Sequence, residues 1–188
     1  GSGVSRYQDT DVVLGRRYYY RVTTLDTGGA YGNESFYSDS QPSDSAVMTS
    51  STKWYVNDNS IAGDSFTTAV GADTNAGNVI NSPFRTIPMA MRFATSGDTI
   101  FIDAGLFDSY VTVNGSDTAG VDIDKDSIAL IGKDSGSTLV NPTGPSTANN
   151  YGIYADTQVN LLIKNIGVTG VYVGFHLENV DLSVLSGD

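Results

Sequence analysis

Apolar positions change their spacing along this chain, and each change predicts a different element. Around residues 18–23 they alternate. Tyr18, Tyr20 and Val22 fall on one face of a strand, with Tyr19, Arg21 and Thr23 on the other. Residues 28–35, Gly-Gly-Ala-Tyr-Gly-Asn-Glu-Ser, read as a long loop, and 45–49 as a return strand. Trp54–Val56 is a short strand, and the polar stretch 57–81 is a loop that wraps one end of the strands downstream. At Ile87, Ala90, Met91 and Ala94 the spacing becomes helical. Thr86 is the predicted N-cap, Pro88 falls in the first turn, and Gly97 supplies the positive φ that ends the helix. Thr99–Asp103 returns to a strand with three consecutive apolar residues, Ile100, Phe101 and Ile102.

Beyond residue 97 the pattern recurs. Leu161, Ile163 and Asn165 match Leu182, Val184 and Ser186. Ile100–Ile102 matches Ile128–Leu130, which in turn matches Leu161–Ile163 at wider spacings. A period of about 21 residues, with insertions at 114–120 and 133–150, fits one rung of a right-handed parallel β-helix. One rung cannot bury its apolar face alone, and a terminal rung exposes unpaired edges. The helix after Thr86 is therefore expected to cap the N-terminal end. The pattern stops in mid-repeat at Ser186-Gly187-Asp188, so a fragment of a longer protein is expected.

Composition narrows the class. The chain has 188 residues, 39% of them hydrophobic, which is too many for disorder; Gly 21 and Pro 5 predict many turns. Helix formers are scarce after residue 95, so the bulk is expected to be β. A net charge of −11 leaves little to neutralise phosphates and argues against nucleic acid and anionic membranes. No apolar run approaches a membrane span. With Cys 0 there are no disulfides or thiolate metal sites.

Two resemblances sharpen this. Val12, Gly15, Tyr18, Tyr20, Arg21 and Val22, followed by Gly32-Asn33-Glu34-Ser35, resemble the C-terminal half of a fibronectin type III domain. That likeness implies a β-sandwich over residues 1–49 and makes Tyr18 its corner tyrosine, bonded to nearby backbone. Only part of such a sandwich fits before the polar seam 50–53. Trp54-Tyr-Val, Gly71-Ala-Asp-Thr-Asn-Ala-Gly77, Pro83-Phe-Arg-Thr-Ile87 and Gly97-Asp-Thr-Ile100 occur in that order, and Asp124–Gly132 looks like the next rung. Together they resemble the opening of pectate-lyase-like right-handed β-helix proteins, a superfamily of bacterial surface proteins, polysaccharide lyases and hydrolases, and phage tailspikes. The expected fold is all-β: a partial sandwich at 1–49, then the capping helix and first rungs of a parallel β-helix over 50–188.

Candidate chemistry is sparse. Asp58, Asp64, Asp73 and Asn75 in the long loop could ligate Ca²⁺, and equally make Asx turns. Asp122, Asp124 and Asp126 share a face if extended and could also hold a hard cation. An EF-hand pattern fails there because Ser127 and Lys133 occupy its glycine and glutamate positions. In both cases the turn reading is preferred, and no cofactor is required. Tyr151, Tyr154 and Tyr172 could form a sugar-stacking platform or pack across rungs. His176 sits in an apolar strand without a catalytic partner, and Arg85, Arg92 and Lys164 have no evident carboxylate cluster beside them. Asn165 reads as a corner asparagine whose amide bonds the next turn.

The expectation is a piece of a secreted or cell-surface multidomain protein. Its β-helix would bind extracellular ligands, glycans foremost, in adhesion, without membrane insertion. The alternatives are a polysaccharide lyase or glycoside hydrolase with its catalytic rungs beyond residue 188, and a self-assembling structural element of a filament or tailspike.

Overall fold

The computed structural model describes residues 17–20, 25–26, 33–34, 44–47, 52–144 and 149–186. The chain divides into two compact units, Gly1–Ser50 and Ser51–Asp188. The first carries β1 (Arg17–Tyr20), β2 (Leu25–Asp26), β3 (Asn33–Glu34) and β4 (Asp44–Val47). The second begins with β5 (Lys53–Val56), α1 (Ile87–Phe93), β6 (Thr99–Ile102), β7 (Gly105–Phe107), β8 (Val111–Val113) and β9 (Asp117–Ile123). It continues with β10 (Ala129–Gly132), β11 (Thr138–Val140), β12 (Asn150–Asp156), β13 (Leu161–Lys164), β14 (Gly167–Val168), β15 (Val173–Glu178) and β16 (Leu182–Ser186). The class is all-β with one short helix.

In the first unit β1 and β4 pair antiparallel, Tyr18 opposite Ala46, and β2 pairs with β3, Leu25 opposite Glu34. The segment expected to be wholly loop at 28–35 therefore contains a strand, because Asn33 and Glu34 return against β2. The expected bond of the Tyr18 hydroxyl lies outside the described residues.

In the second unit the chain visits three parallel ladders in rotation. They are β5–β6–β10–β13–β16, β7–β11–β14 and β9–β12–β15, with β8 added antiparallel to the edge of the third. Val56, Ile100, Ile102, Leu130, Ile163, Val140, Val121 and Ile153, each 0–1% exposed, come from all three ladders and form one apolar cluster. Parallel strands covered this way favour β-branched and leucine side chains at every inward position. Ile128–Leu130 lies against Leu161–Ile163 in the expected register. Ile100, however, pairs with Leu130 rather than Ile128. A two-residue slip leaves the same side chains facing inward, so the apolar pattern cannot detect it. A register shift next to Leu161 likewise moves Ile163 opposite Leu185 instead of Val184.

The two expected insertions also contain structure. At 111–123 the chain forms the β8–β9 hairpin, whose turn has positive φ at Asn114 (47°) and Gly115 (79°). Asn and Gly are the residues that adopt such positive φ most readily. The segment 133–150 supplies β11, which pairs with β7.

The end of the long ladder is closed by polar chemistry as much as by the helix. The segment after β5 folds back along its free edge: Tyr55 N–H donates to Gly77 O (2.7 Å), Phe84 N–H to Tyr55 O and Asn57 N–H to Phe84 O (both 2.9 Å). An otherwise open strand edge is thereby paired. Asp73 accepts the N–H groups of Arg85 and Thr86 (2.9 Å each), fixing the start of α1, and Thr86 Oγ1 accepts from Met89 N–H at 3.3 Å. Ile87, Ala90 and Met91 then face the apolar cluster. The helix ends at Ala94 in an extended conformation, not on glycine; Gly97, φ 93°, serves instead the turn in which Asp98 N–H bonds Thr95 O.

Asp98, 1% exposed, accepts from Thr52 N–H (2.8 Å), Trp54 Nε1–H (2.9 Å) and Thr95 N–H (2.8 Å). Burial alone would raise its pKa, but these hydrogen bonds outweigh that and hold it below the ordinary 3.8. Such a carboxylate stabilises the fold above pH 3.8, and the contribution is lost as pH falls through its lowered value. Asp98→Ala leaves buried donors unpaired and should cost about 3 kcal/mol or more at pH 7, read as a lower urea midpoint; a loss under about 1 kcal/mol would contradict the clamp. Gly120, Gly152 and Gly174 occupy equivalent positions in β9, β12 and β15. A Cβ on Gly152 would lie 2.6 Å from Gly174 O and press on Val168. Gly152→Ala should therefore destabilise by about 1–3 kcal/mol through overpacking, and a neutral effect on thermal unfolding would refute that.

Candidate functional site

The loop carboxylates form two groups. Asp73 binds backbone at the start of α1, and Asn75 Nδ2 donates to Pro83 O at 2.8 Å. Asp58 Oδ1 accepts from Ser60 N–H (2.7 Å), and Asp64 Oδ2 accepts from Asn57 Nδ2 (2.6 Å). Burial raises the Asp64 pKa, and the charges of Asp103 and Asp58 push it the same way against the Asn57 hydrogen bond and Lys133. Asp103, fully buried, already accepts from the N–H groups of Ser65, Phe66 and Thr67 and from Thr67 Oγ1. Among the described residues no three His, Cys, Asp or Glu side chains converge as metal ligands.

The tyrosines separate. Tyr151 and Tyr154, both 7% exposed, pack with Val113 and Ala119 under the β8–β9 hairpin, whereas Tyr172 is 83% exposed. The Tyr151 hydroxyl lies 3.2 Å from Asp117 Oδ2, and Tyr154 OH exchanges hydrogen bonds with Asn114. Burial first, then the Asp117 charge, raises the Tyr151 pKa, so this phenol stays a donor rather than a base. The sequence pattern does not predict that His176 joins them. Its ring stacks on Tyr154 at 4.8 Å and 4°, with Glu178 at 3.5 Å. The parallel register of β12 and β15, which sets Tyr154 beside His176, makes the contact. Asn165, at φ 58°, donates to Lys133 O at 3.4 Å, a bond between successive turns of chain.

A concave site does form, and it draws on Asp122 and Asp124. Val121 and Ile123 point inward, so Asp122 and Asp124 project outward at the end of β9. The side of α1 that carries Pro88 and Arg92 faces them, and together with Val111 of β8 they border an open cleft of about 230 Å³. Pro88, Met91 and Val111 supply apolar lining; Arg92 and Lys125 supply positive charge. Lys125 Nζ bonds Met91 O (3.1 Å) and the Asp124 carboxylate, tying the strand end to the helix. Asp126 takes no part: its Oδ1 accepts from Val159 N–H at 3.0 Å, on the stretch that leads into β13. Arg92, which has no carboxylates near it in sequence, lines the same cleft as two of them. Helical spacing alone could have placed Arg92 on the outer side of α1, but not opposite β9.

Comparison of the chain with known protein families, curated proteins and solved structures yields no match.

Burial, and then the Asp124 charge, raise the Asp122 pKa above 3.8, with Lys125 opposing. A raised carboxyl binds its proton more tightly in the folded state, so it favours folding at low pH and loses that contribution as pH rises through the raised value. Asp122→Asn should therefore raise the urea midpoint at neutral pH and flatten its dependence on pH just above 3.8. An unchanged pH profile would show that Asp122 is not desolvated.

Proposed function

We propose that residues 51–188 are the capped first turns of a right-handed parallel β-helix, and that this β-helix binds extracellular glycans for a secreted or cell-surface protein. Three parallel ladders visited in rotation, a continuous inner apolar cluster and a helix over one end support the fold reading. The first unit, by its resemblance to fibronectin type III, serves as a spacer. The high proportion of turns and the net charge of −11 suit an acidic surface protein.

The observation that carries the binding reading is the cleft between α1 and β9. It combines apolar lining from Pro88, Met91 and Val111 with charged groups that can accept from and donate to hydroxyls. Sugars present that combination, with C–H faces flanked by hydroxyl edges, and mixed concave sites are where small ligands bind. A cleft of this size engages a single ring, so affinity per site is expected near 1 mM, about −4 kcal/mol, with strength at a surface gained through multivalency.

Display of neutral and acidic glycans at high density, probed with the 188-residue chain, should show retention of at least one class. Reducing-end release and unsaturated-product absorbance on the same glycans should stay at background. Cleavage by this chain would replace the binding reading with a catalytic one, and no retention of any glycan would remove it.

A further inference from the structure

The ligand class follows from the charge balance of the same cleft, and it rests on the glycan reading. We infer that the cleft takes a neutral sugar, with the Asp122 carboxylate accepting two neighbouring hydroxyls while the ring lies against Pro88 and Val111.

Two carboxylates, Asp122 and Asp124, face two cations, Arg92 and Lys125, so the cleft carries no net charge. Asp124 and Lys125 neutralise each other, and Lys125 is further held by Met91 O at 3.1 Å. Asp122 differs. It is half-buried, and no hydrogen bond from the described residues stabilises its carboxylate. A half-buried acceptor with no donor from the described residues gains from a ligand that brings O–H groups. A carboxylate has two oxygens in one plane, which suits two hydroxyls on adjacent carbons. Arg92 at the rim can donate to a ring or hydroxyl oxygen without needing a negative partner.

The same balance disfavours the other candidates. A uronate would bring its carboxylate toward Asp122 and Asp124 in a site where Lys125 is already engaged. A divalent cation needs six or more oxygen ligands and would face both Arg92 and Lys125. The volume of about 230 Å³ lies below that of drug-sized pockets and suits a single ring.

The test is an NMR titration of the whole 188-residue chain with methyl glucoside, methyl galactoside, methyl mannoside, methyl galacturonide and calcium chloride. At least one neutral glycoside should shift the amides of Arg92, Val111, Asp122 and Lys125, and galacturonide should bind at least fivefold more weakly. Asp122→Asn keeps the side-chain shape and should weaken the neutral sugar about tenfold. Arg92→Gln, which lies on the exposed side of α1, should weaken it a few-fold, and thermal melting confirms that both variants fold. Tighter binding of galacturonide, calcium binding lost in Asp122→Asn, or sugar binding indifferent to Asp122→Asn would each overturn the inference. If glycans bind the chain but leave the cleft amides unmoved, this inference falls and the glycan reading stands. If no glycan binds at all, in titration or at high density, both fall.

Discussion

Two buried aspartates bracket β6, and the capped end of the second unit depends on them. Asp98 precedes the strand and gathers donors from Thr52, Trp54 and Thr95. Asp103 follows it and gathers three successive N–H groups at Ser65, Phe66 and Thr67. Between them they tie the start of β5, the exit of α1 and the long loop to a single four-residue strand. Burying a carboxylate is costly unless its lone pairs are used, and here backbone donors use them. The same bonds solve the opposite problem, because loop N–H groups near the core would otherwise be orphaned.

Once that end is fixed, packing proceeds by repetition. Each new strand places an inward residue over its predecessor, as Ile100, Leu130 and Ile163 do along the longest ladder. The column of Gly120, Gly152 and Gly174 belongs to the same stacking. At Gly120 and Gly152 the backbone of the next turn and the side chains of Val140 and Val168 approach too closely for a Cβ. Ala-Gly-Val, Tyr-Gly-Ile and Val-Gly-Phe around the three glycines form a short repeat in the sequence, yet loops of different length separate them.

The cleft is a by-product of closure. A helix laid over the apolar end turns its other side outward, and the part of that side that carries Pro88 and Arg92 meets the outward positions of β9. Arg92 thereby comes opposite Asp122 and Asp124, Lys125 follows them in sequence, and the result is a small, balanced site instead of an acidic patch. On a chain with net charge −11, a locally neutral concavity stands apart from its surroundings. The cluster of Tyr151, Tyr154 and His176 is the contrasting case: the two tyrosine rings are buried under the hairpin, and His176 on β15 stacks on Tyr154.

The β-rich class, the helix at 87–93 with its Thr86 cap, the inward set of apolar residues and the parallel pairing of 128–130 with 161–163 were all legible in the sequence. They come from local chemistry and from a periodicity of two, which a single chain displays directly. The register of β6 against β10 was not legible, because a two-residue slip preserves the inward face. Nor were the strands within the expected insertions, whose partners lie elsewhere along the chain or across a tight turn. Of the candidate site, Asp122 and Asp124 stood out as an alternating pair of carboxylates. Their union with Arg92 and Val111, the departure of Asp126 and the stacking of His176 on Tyr154 were settled by tertiary structure alone. Distance in space between side chains on different turns depends on loop lengths and stacking, and neither is written in the pattern of any one segment.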